Sequence, residues 1–160
     1  MPNQLGAKLQ YLRNHYHLTQ RETADRLGLV SQAYISNVEV GRKLPSLEMI
    51  VRISLLFGVT TEYLLRDAIP IDQMDGSSLA ATIDKEAKPT LLSTKLAYLR
   101  SQHHLTQAEV ASQLGLHTHA HISHLESGRH DPSIDLIIRI ADLFKITTDY
   151  LLHDTIPVNT

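Results

Sequence analysis

The sequence predicts an all-α protein made of two tandem five-helix domains. Apolar residues recur three and four positions apart, which is the spacing of an amphipathic helix, and no segment alternates as a strand would. The second half of the chain also repeats the first: Lys8-Leu9 aligns with Lys95-Leu96 and Thr60-Thr61 with Thr147-Thr148, without a gap. The period of about 87 residues is too long for a solenoid unit, so it indicates a duplicated domain.

The first two helices of each domain are marked by apolar periodicity and by capping residues. In the first repeat, Leu5 and Leu9 begin the apolar face of the first helix. Thr19 followed by Glu22 is a capping-box pattern, which predicts that the second helix starts there. Gly28 suits the left-handed position just after the end of that helix.

The third, fourth and fifth helices follow from the same kinds of signal. Ile35 and Val38 lie on the inward face of the third helix. Ser46 is expected to cap the fourth helix, and either Thr60 or Thr61 to cap the fifth. The second repeat carries all of these signals.

The repeat sets the expected domain boundaries at residues 1–71 and 90–160. The segment between them, residues 72–89, contains Gly, Ser and mixed charges and is predicted to be a linker. Leu79 to Ala87 could hold a helical turn or two within it.

Composition excludes several classes of protein. The chain has no cysteine, which excludes disulfides, thiolate zinc sites and cysteine nucleophiles and fits a reducing compartment. The N-terminus lacks the basic and apolar regions of a secretion signal, and no apolar stretch approaches the roughly 18 residues of a membrane helix. We therefore expect a cytoplasmic protein without a membrane partner.

An extended motif occurs once in each repeat. It reads Thr-Gln-x-Glu-x-Ala-x-x-Leu-Gly in the first repeat, then Ile-Ser-x-x-Glu-x-Gly-Arg and Pro-Ser, and the second repeat keeps all of these anchors. This set closely resembles the Cro/CI-type, XRE-like helix-turn-helix regulators, over nearly the whole of both repeats. The resemblance implies two lambda-repressor-like DNA-binding domains and a transcriptional regulator, in particular a repressor, that is not an enzyme.

The resemblance also implies DNA contacts of three kinds. A glutamine at the start of the second helix binds phosphate, side chains early on the third helix and one turn later touch base edges in the major groove, and basic residues after the glycine bind phosphate. The matching residues are Gln20, Ser31, Gln32, Ala33, Asn37, Arg42 and Lys43 in the first domain and Gln107, Thr118, His119, Ala120, His124 and Arg129 in the second. Tyr34, beside these positions, fits either packing or a phosphate contact.

The chain departs from the family spacing at one place. Between Gly28 and Ile35, and again between Gly115 and Ile122, it is one residue longer than is usual. We interpret this as a lengthened turn before the third helix, which leaves the base-contact assignments open by one position.

Two pairs of opposite charges have a structural interpretation. In the family that the chain resembles, the positions of Arg13 and Glu39, and of Arg100 and Glu126, form a largely buried ion pair between the first and third helices. We expect these pairs to stabilise each domain, with a direct role at DNA as the alternative.

Most of the histidines lie in the second repeat. His117, His121 and His124 would share a helical face if the third helix began early enough, and such spacing can bind a metal. However, no His-Glu-x-x-His motif accompanies them. We predict no metal and no cofactor, and we expect imidazoles that face solvent or DNA, with a pH-dependent role as an alternative.

The expected partner is double-stranded DNA, although the net charge of the whole chain is −2. Counting Lys, Arg, Asp and Glu, the first domain carries about +2 and the second about −2, so the first should bind DNA more strongly. The chain could act as an intrachain pseudo-dimer or as a homodimer. The alternative is a protein-interaction or antitoxin-type module whose second domain binds a partner or dimerises. No phosphate loop, serine elbow or small-molecule site is evident.

Overall fold

The structure is a computed structural model that describes residues 3–74 and 89–158. Within these residues the chain forms ten α-helices and no β-strand, and it divides into two compact units, Met1–Lys88 and Pro89–Thr160. The predicted all-α class with five helices in each unit is confirmed. The helical turn expected between Leu79 and Ala87 lies outside the described residues.

The two units have the same order of helices. The first contains α1 (Leu5–His15), α2 (Gln20–Arg26), α3 (Ala33–Glu39), α4 (Leu47–Phe57) and α5 (Thr61–Leu65). The second contains α6 (Leu92–Gln102), α7 (Gln107–Gln113), α8 (Ala120–Glu126), α9 (Ile134–Phe144) and α10 (Thr148–Leu152).

Capping residues start the helices where the sequence predicts. Thr19 accepts a hydrogen bond from the backbone N–H of Glu22, whose carboxylate accepts one from the N–H of Thr19, so the capping box is complete. Ser46 caps α4 with its side chain alone, which accepts a hydrogen bond from the N–H of Met49. Of the two candidates for α5, Thr60 is the cap and Thr61 is the first helical residue.

In each unit a buried lysine joins the first helix to the end of the fifth, a contact that the sequence analysis did not predict. Lys8 is fully buried, and its Nζ donates hydrogen bonds of 2.6 Å to the main-chain carbonyls of Tyr63 and Arg66. The Tyr63 carbonyl lies in the last turn of α5, where a helix has acceptors without partners inside it, and the Arg66 carbonyl, just after the helix, also accepts from the N–H of Ile69. Burial lowers the pKa of Lys8. Lys95 makes the equivalent bonds in the second unit.

The N-terminus of α1 is held by the chain that follows α5. The carboxylate of Asp67 accepts hydrogen bonds from the backbone N–H groups of Asn3 and Gln4, at 2.8 and 2.9 Å. An anionic group is favourable there because the first N–H groups of a helix have no partner within it. Asp154 does the same for the start of α6.

Gly6 lets α1 approach α3 closely. A Cβ atom at this position would lie 2.5 Å from the carbonyl oxygens of both Val38 and Glu39. The contact therefore requires glycine, and it fixes where the end of α3 lies. The corresponding residue in the second unit is Ser93, whose side chain is half-buried.

Candidate nucleic-acid interface

In the first unit, α2 and α3 form a helix-turn-helix packed on the core. Ala24 of α2 and Ile35 and Val38 of α3 are buried, and they fix the inner faces of the two helices. Gly28 has a φ of 70° and ends α2 in the left-handed region that favours glycine. The opposite face of α3 and the turn before it are left at the surface.

The turn between the helices is where the added residue is accommodated. The sequence analysis places Ser31 and Gln32 on the third helix, but α3 begins only at Ala33. Ser31 therefore lies in the turn and Gln32 at the N-cap. The Ser31 hydroxyl accepts a hydrogen bond of 3.1 Å from the N–H of Ala33, which satisfies one donor at the helix start. Val30, which the sequence analysis did not select, is fully exposed in the same turn.

Two polar side chains of this surface are unengaged. Gln32 is exposed and Asn37 half-buried, and neither side-chain amide makes a hydrogen bond to another described residue. An amide that folding leaves without a partner keeps its donors and acceptor for a ligand. Ala33, between them in sequence, is also exposed.

Cationic groups follow directly after α3. The main-chain carbonyl of Asn37 accepts hydrogen bonds from the N–H groups of both Arg42 and Lys43, which turns the chain back beside the helix. Both side chains are exposed. The Lys43 ammonium lies over the ring of Tyr34, 4.6 Å from its centroid. Tyr34 is therefore half-buried between this lysine and the domain, where burial raises the pKa of its hydroxyl.

Gln20 is tied to the ion pair rather than free at the surface. Arg13 Nε lies 2.6 Å from Glu39 Oε1, and the Glu39 side chain is only 3% exposed. Gln20 Nε2 donates to the other oxygen of the same carboxylate at 2.8 Å. The three side chains join α1, α2 and α3. One hydrogen of the Gln20 amide remains for another acceptor, since a primary amide has two.

The second unit repeats this framework. Arg100 Nε lies 2.6 Å from Glu126 Oε1, and Gln107 Nε2 donates to Glu126 Oε2 at 2.8 Å. The hydrogen bond to Glu126 raises the pKa of Arg100. Arg129 follows α8 and is exposed, as Arg42 is after α3.

The outer face of the second helix-turn-helix carries different side chains. Thr118 lies in the turn and His119 at the N-cap of α8. As in the first unit, both residues come before the helix on which the sequence analysis places them. Ala120 and His124 are half-buried on the helix. The ring of His124 contacts that of His130 edge to face, with centroids 5.1 Å apart. His130 occupies the position that Lys43 has in the first unit.

The helical start at Ala120 bears on the metal hypothesis. His117 lies before α8, so it does not share a helical face with His121 and His124. Among residues 3–74 and 89–158, no three His, Asp or Glu side chains are arranged to hold a metal ion. Over the same residues, no helix has the length and apolar character that crossing a membrane requires.

Comparison with known proteins matches both units to one family. The family model described as Helix-turn-helix matches residues 9–64 and again residues 96–151. The ImmF control region 10 kDa protein of Bacillus phage phi105 is 36% identical over 77 residues, which are 48% of this chain and 84% of that protein. An uncharacterized HTH-type transcriptional regulator of Methanocaldococcus jannaschii is 38% identical over 65 residues, 39% of this chain and 97% of that protein. No solved structure matches the chain.

Proposed function

The chain belongs to the helix-turn-helix family, whose model matches both of its units, and on that premise we propose that it is a sequence-specific transcriptional regulator, a repressor, that binds double-stranded DNA. The similarity to a phage control-region protein and to an HTH-type regulator supports a DNA-binding regulator in general. We propose no catalytic residue and no cofactor for it.

One observation carries the proposal most directly. Gln32, at the N-cap of α3, and Asn37, on the helix, have amides that no described residue engages, and Asn37 lies one turn after the exposed Ala33. Gln and Asn amides match adenine in the major groove, because each can donate to N7 and accept from the N6 amino group. The exposed Ala33 and Val30 add apolar surface that suits a thymine methyl group.

The surrounding groups supply phosphate contacts. Arg42 and Lys43 are exposed directly after α3 and carry the charge that neutralises phosphates. Gln20 begins α2, so its backbone N–H and the remaining amide hydrogen are available to a phosphate oxygen. Its bond to Glu39 holds the amide in one orientation. Arg13 and Glu39 thus act as positioning residues for the interface.

The two units give one chain two helix-turn-helix surfaces. Dimeric helix-turn-helix proteins place two recognition helices, the equivalents of α3 and α8, in successive major grooves about 34 Å apart. We propose that this chain reaches the same arrangement either as an intrachain pseudo-dimer or as a homodimer with four motifs. A site containing two unlike half-sites is the expected target of the intrachain arrangement.

The test is selection of genomic DNA fragments by the full-length chain, followed by binding titrations at several salt concentrations. A DNA regulator should enrich a defined motif, with affinity that falls as salt rises. Gln32→Ala/Asn37→Ala should lose the motif and keep salt-dependent binding to random duplex. The matched control is Gln10→Ala/Asn14→Ala, which removes the same residue types from exposed positions of α1. No binding, or an unchanged motif with the first variant, would contradict the proposal.

A second candidate concerns the second unit only. Its charge of about −2 and the loss of the Lys43 equivalent favour a role in binding a protein partner or in dimerisation. In that case a chain with Gln107→Ala/Arg129→Ala should bind the selected DNA as tightly as the unaltered chain. A large loss of affinity would exclude this candidate.

A further inference from the structure

The duplication provides an internal comparison of two DNA-facing surfaces on one framework. The ion pair, the glutamine bonded to it, the capping box and the start of the third helix are the same in both units. Against this constant background, the turn and the outer face change to histidine at five positions, of which the first is Val30, replaced by His117. At the other four, Gln32, Tyr34, Asn37 and Lys43 correspond to His119, His121, His124 and His130.

Two of these changes replace the side chains that the proposed function assigns to base contacts. Gln32 and Asn37 present an oxygen and an NH₂ group side by side, so one side chain can pair with both groups on the adenine edge. An imidazole cannot do this, because its two nitrogens lie on opposite sides of the ring and only one can reach a given base. The adenine contact of the first unit is therefore lost at His119 and His124.

The contact that an imidazole can make favours guanine. Its N–H is a donor, and the guanine edge in the major groove offers two adjacent acceptors, N7 and O6. A single N–H can be shared between these two acceptors, whereas on adenine the amino group beside N7 repels an N–H in that position. Ala120, between the two histidines, keeps the apolar character of Ala33.

The position of the His124 ring is restricted by its neighbour. The ring of His130 lies edge to face against it, with centroids 5.1 Å apart and planes at 66°. His124 is also half-buried, which leaves its ring less space than an exposed side chain has. A side chain with few accessible orientations loses less entropy when it binds, which favours a directional contact.

From these observations we infer that the two units read different bases, the first an adenine-containing half-site and the second a guanine-containing half-site, with His119 and His124 as the specificity-determining residues of the second. This inference rests on the proposed function. It makes the target an asymmetric site, and it gives the second unit a distinct sequence preference rather than a weakened copy of the first.

The experiment is selection from a randomised duplex library by the full-length chain. The expected result is a site with two unlike halves, one of which contains a G·C pair that, when changed to A·T, lowers affinity about 5- to 50-fold. His119→Gln/His124→Asn should convert that half to the adenine-containing sequence of the other. The reciprocal variant, Gln32→His/Asn37→His, should convert the first half to the guanine-containing sequence.

Each other outcome overturns the inference in a distinguishable way. Enrichment of two like half-sites, or of a single half-site, would contradict it while leaving the DNA-binding function intact. Unaltered selection by His119→Gln/His124→Asn would do the same, provided that its circular dichroism and thermal unfolding match the unaltered chain. Failure to enrich any sequence would contradict the proposed function itself.

Discussion

Gln20 Nε2 donates a 2.8 Å hydrogen bond to the carboxylate of Glu39, so the first residue of α2 is joined to the last residue of α3. The same carboxylate holds Arg13 from α1. A group proposed to bind phosphate is thus positioned by a nearly buried ion pair. Changes at this site should affect DNA binding and stability together, and the salt dependence of binding can separate these effects.

Gln20→Ala should weaken DNA binding without changing how steeply affinity falls with salt. The amide is neutral, so its loss removes a hydrogen bond to phosphate but no counterion-releasing charge. Loss of the bond to Glu39 should also lower the free energy of unfolding by about 0.5–1.5 kcal/mol. Anisotropy titrations between low and moderate salt, with urea unfolding, measure both quantities. A changed salt slope would argue against a neutral phosphate contact.

Arg42→Gln should behave differently at the same interface. Removing a phosphate-bound cation lowers affinity for all sequences and reduces the slope of log affinity against log salt by about 1. Because Arg42 is exposed, stability should stay within about 0.5 kcal/mol of the original. Arg21→Gln is the matched control, since Arg21 is also exposed and pairs with Asp25 of its own helix. Equal slopes for the two variants would contradict the assignment.

Gly6→Ala should destabilise the first unit. The added Cβ would lie 2.5 Å from two backbone carbonyl oxygens of α3, and a backbone atom cannot rotate away. We expect a loss of about 2–3 kcal/mol, in the range of overpacked cores, together with weaker DNA binding. Ser93→Ala, the same position in the second unit, serves as the control and should change stability little. Hydrogen exchange of peptides from each unit locates the effect, and protection of α3 as in the unaltered chain would disprove the close contact.

Lys8→Met should also destabilise the first unit, although it removes a buried charge. The substitution keeps most of the apolar stem but leaves the carbonyl of Tyr63 without its side-chain donor, while the carbonyl of Arg66 keeps only the N–H of Ile69. Each unsatisfied buried acceptor costs about 1–3 kcal/mol, partly offset because the ammonium is no longer desolvated. We expect a net loss of about 2 kcal/mol in urea unfolding, and a similar loss for Lys95→Met. A stabilised variant would mean that desolvation dominates.

The capping boxes should contribute to acid unfolding. Hydrogen bonds from Thr19 lower the pKa of Glu22 below its ordinary value of 4.5, and those from Thr106 lower the pKa of Glu109 in the same way. A carboxyl group with a lowered folded pKa stabilises the fold above its unfolded pKa, and that stability is lost as pH falls through the folded value. Glu22→Gln/Glu109→Gln keeps an acceptor at both positions but cannot titrate. The melting temperature of this variant should fall less steeply below pH 4.5, and identical acid limbs would contradict the assignment.

The sequence by itself determined the duplication, the five helices in each unit and most of their starting points. Thr19 with Glu22, Ser46 and Thr60 cap their helices through hydrogen bonds to residues three positions on. Such bonds depend on a few consecutive residues, as does the 3.6-residue period of the buried positions. The family resemblance was likewise carried by local motifs, and the family match confirms it.

Only the tertiary structure decided the features that join distant parts of the chain. Lys8 is 55 residues from Tyr63 and Asp67 is 63 residues from Gln4, so no local pattern indicated either contact. A signal existed for Lys8, since it lies beside Leu9 on the apolar face of α1 in both repeats, but its charge favoured an exposed position. The start of α3 at Ala33 and the tie between Gln20 and Glu39 also depend on how the helices pack. Packing brings residues that are distant along the chain into contact, whereas a local sequence pattern reports only on residues that are close along it.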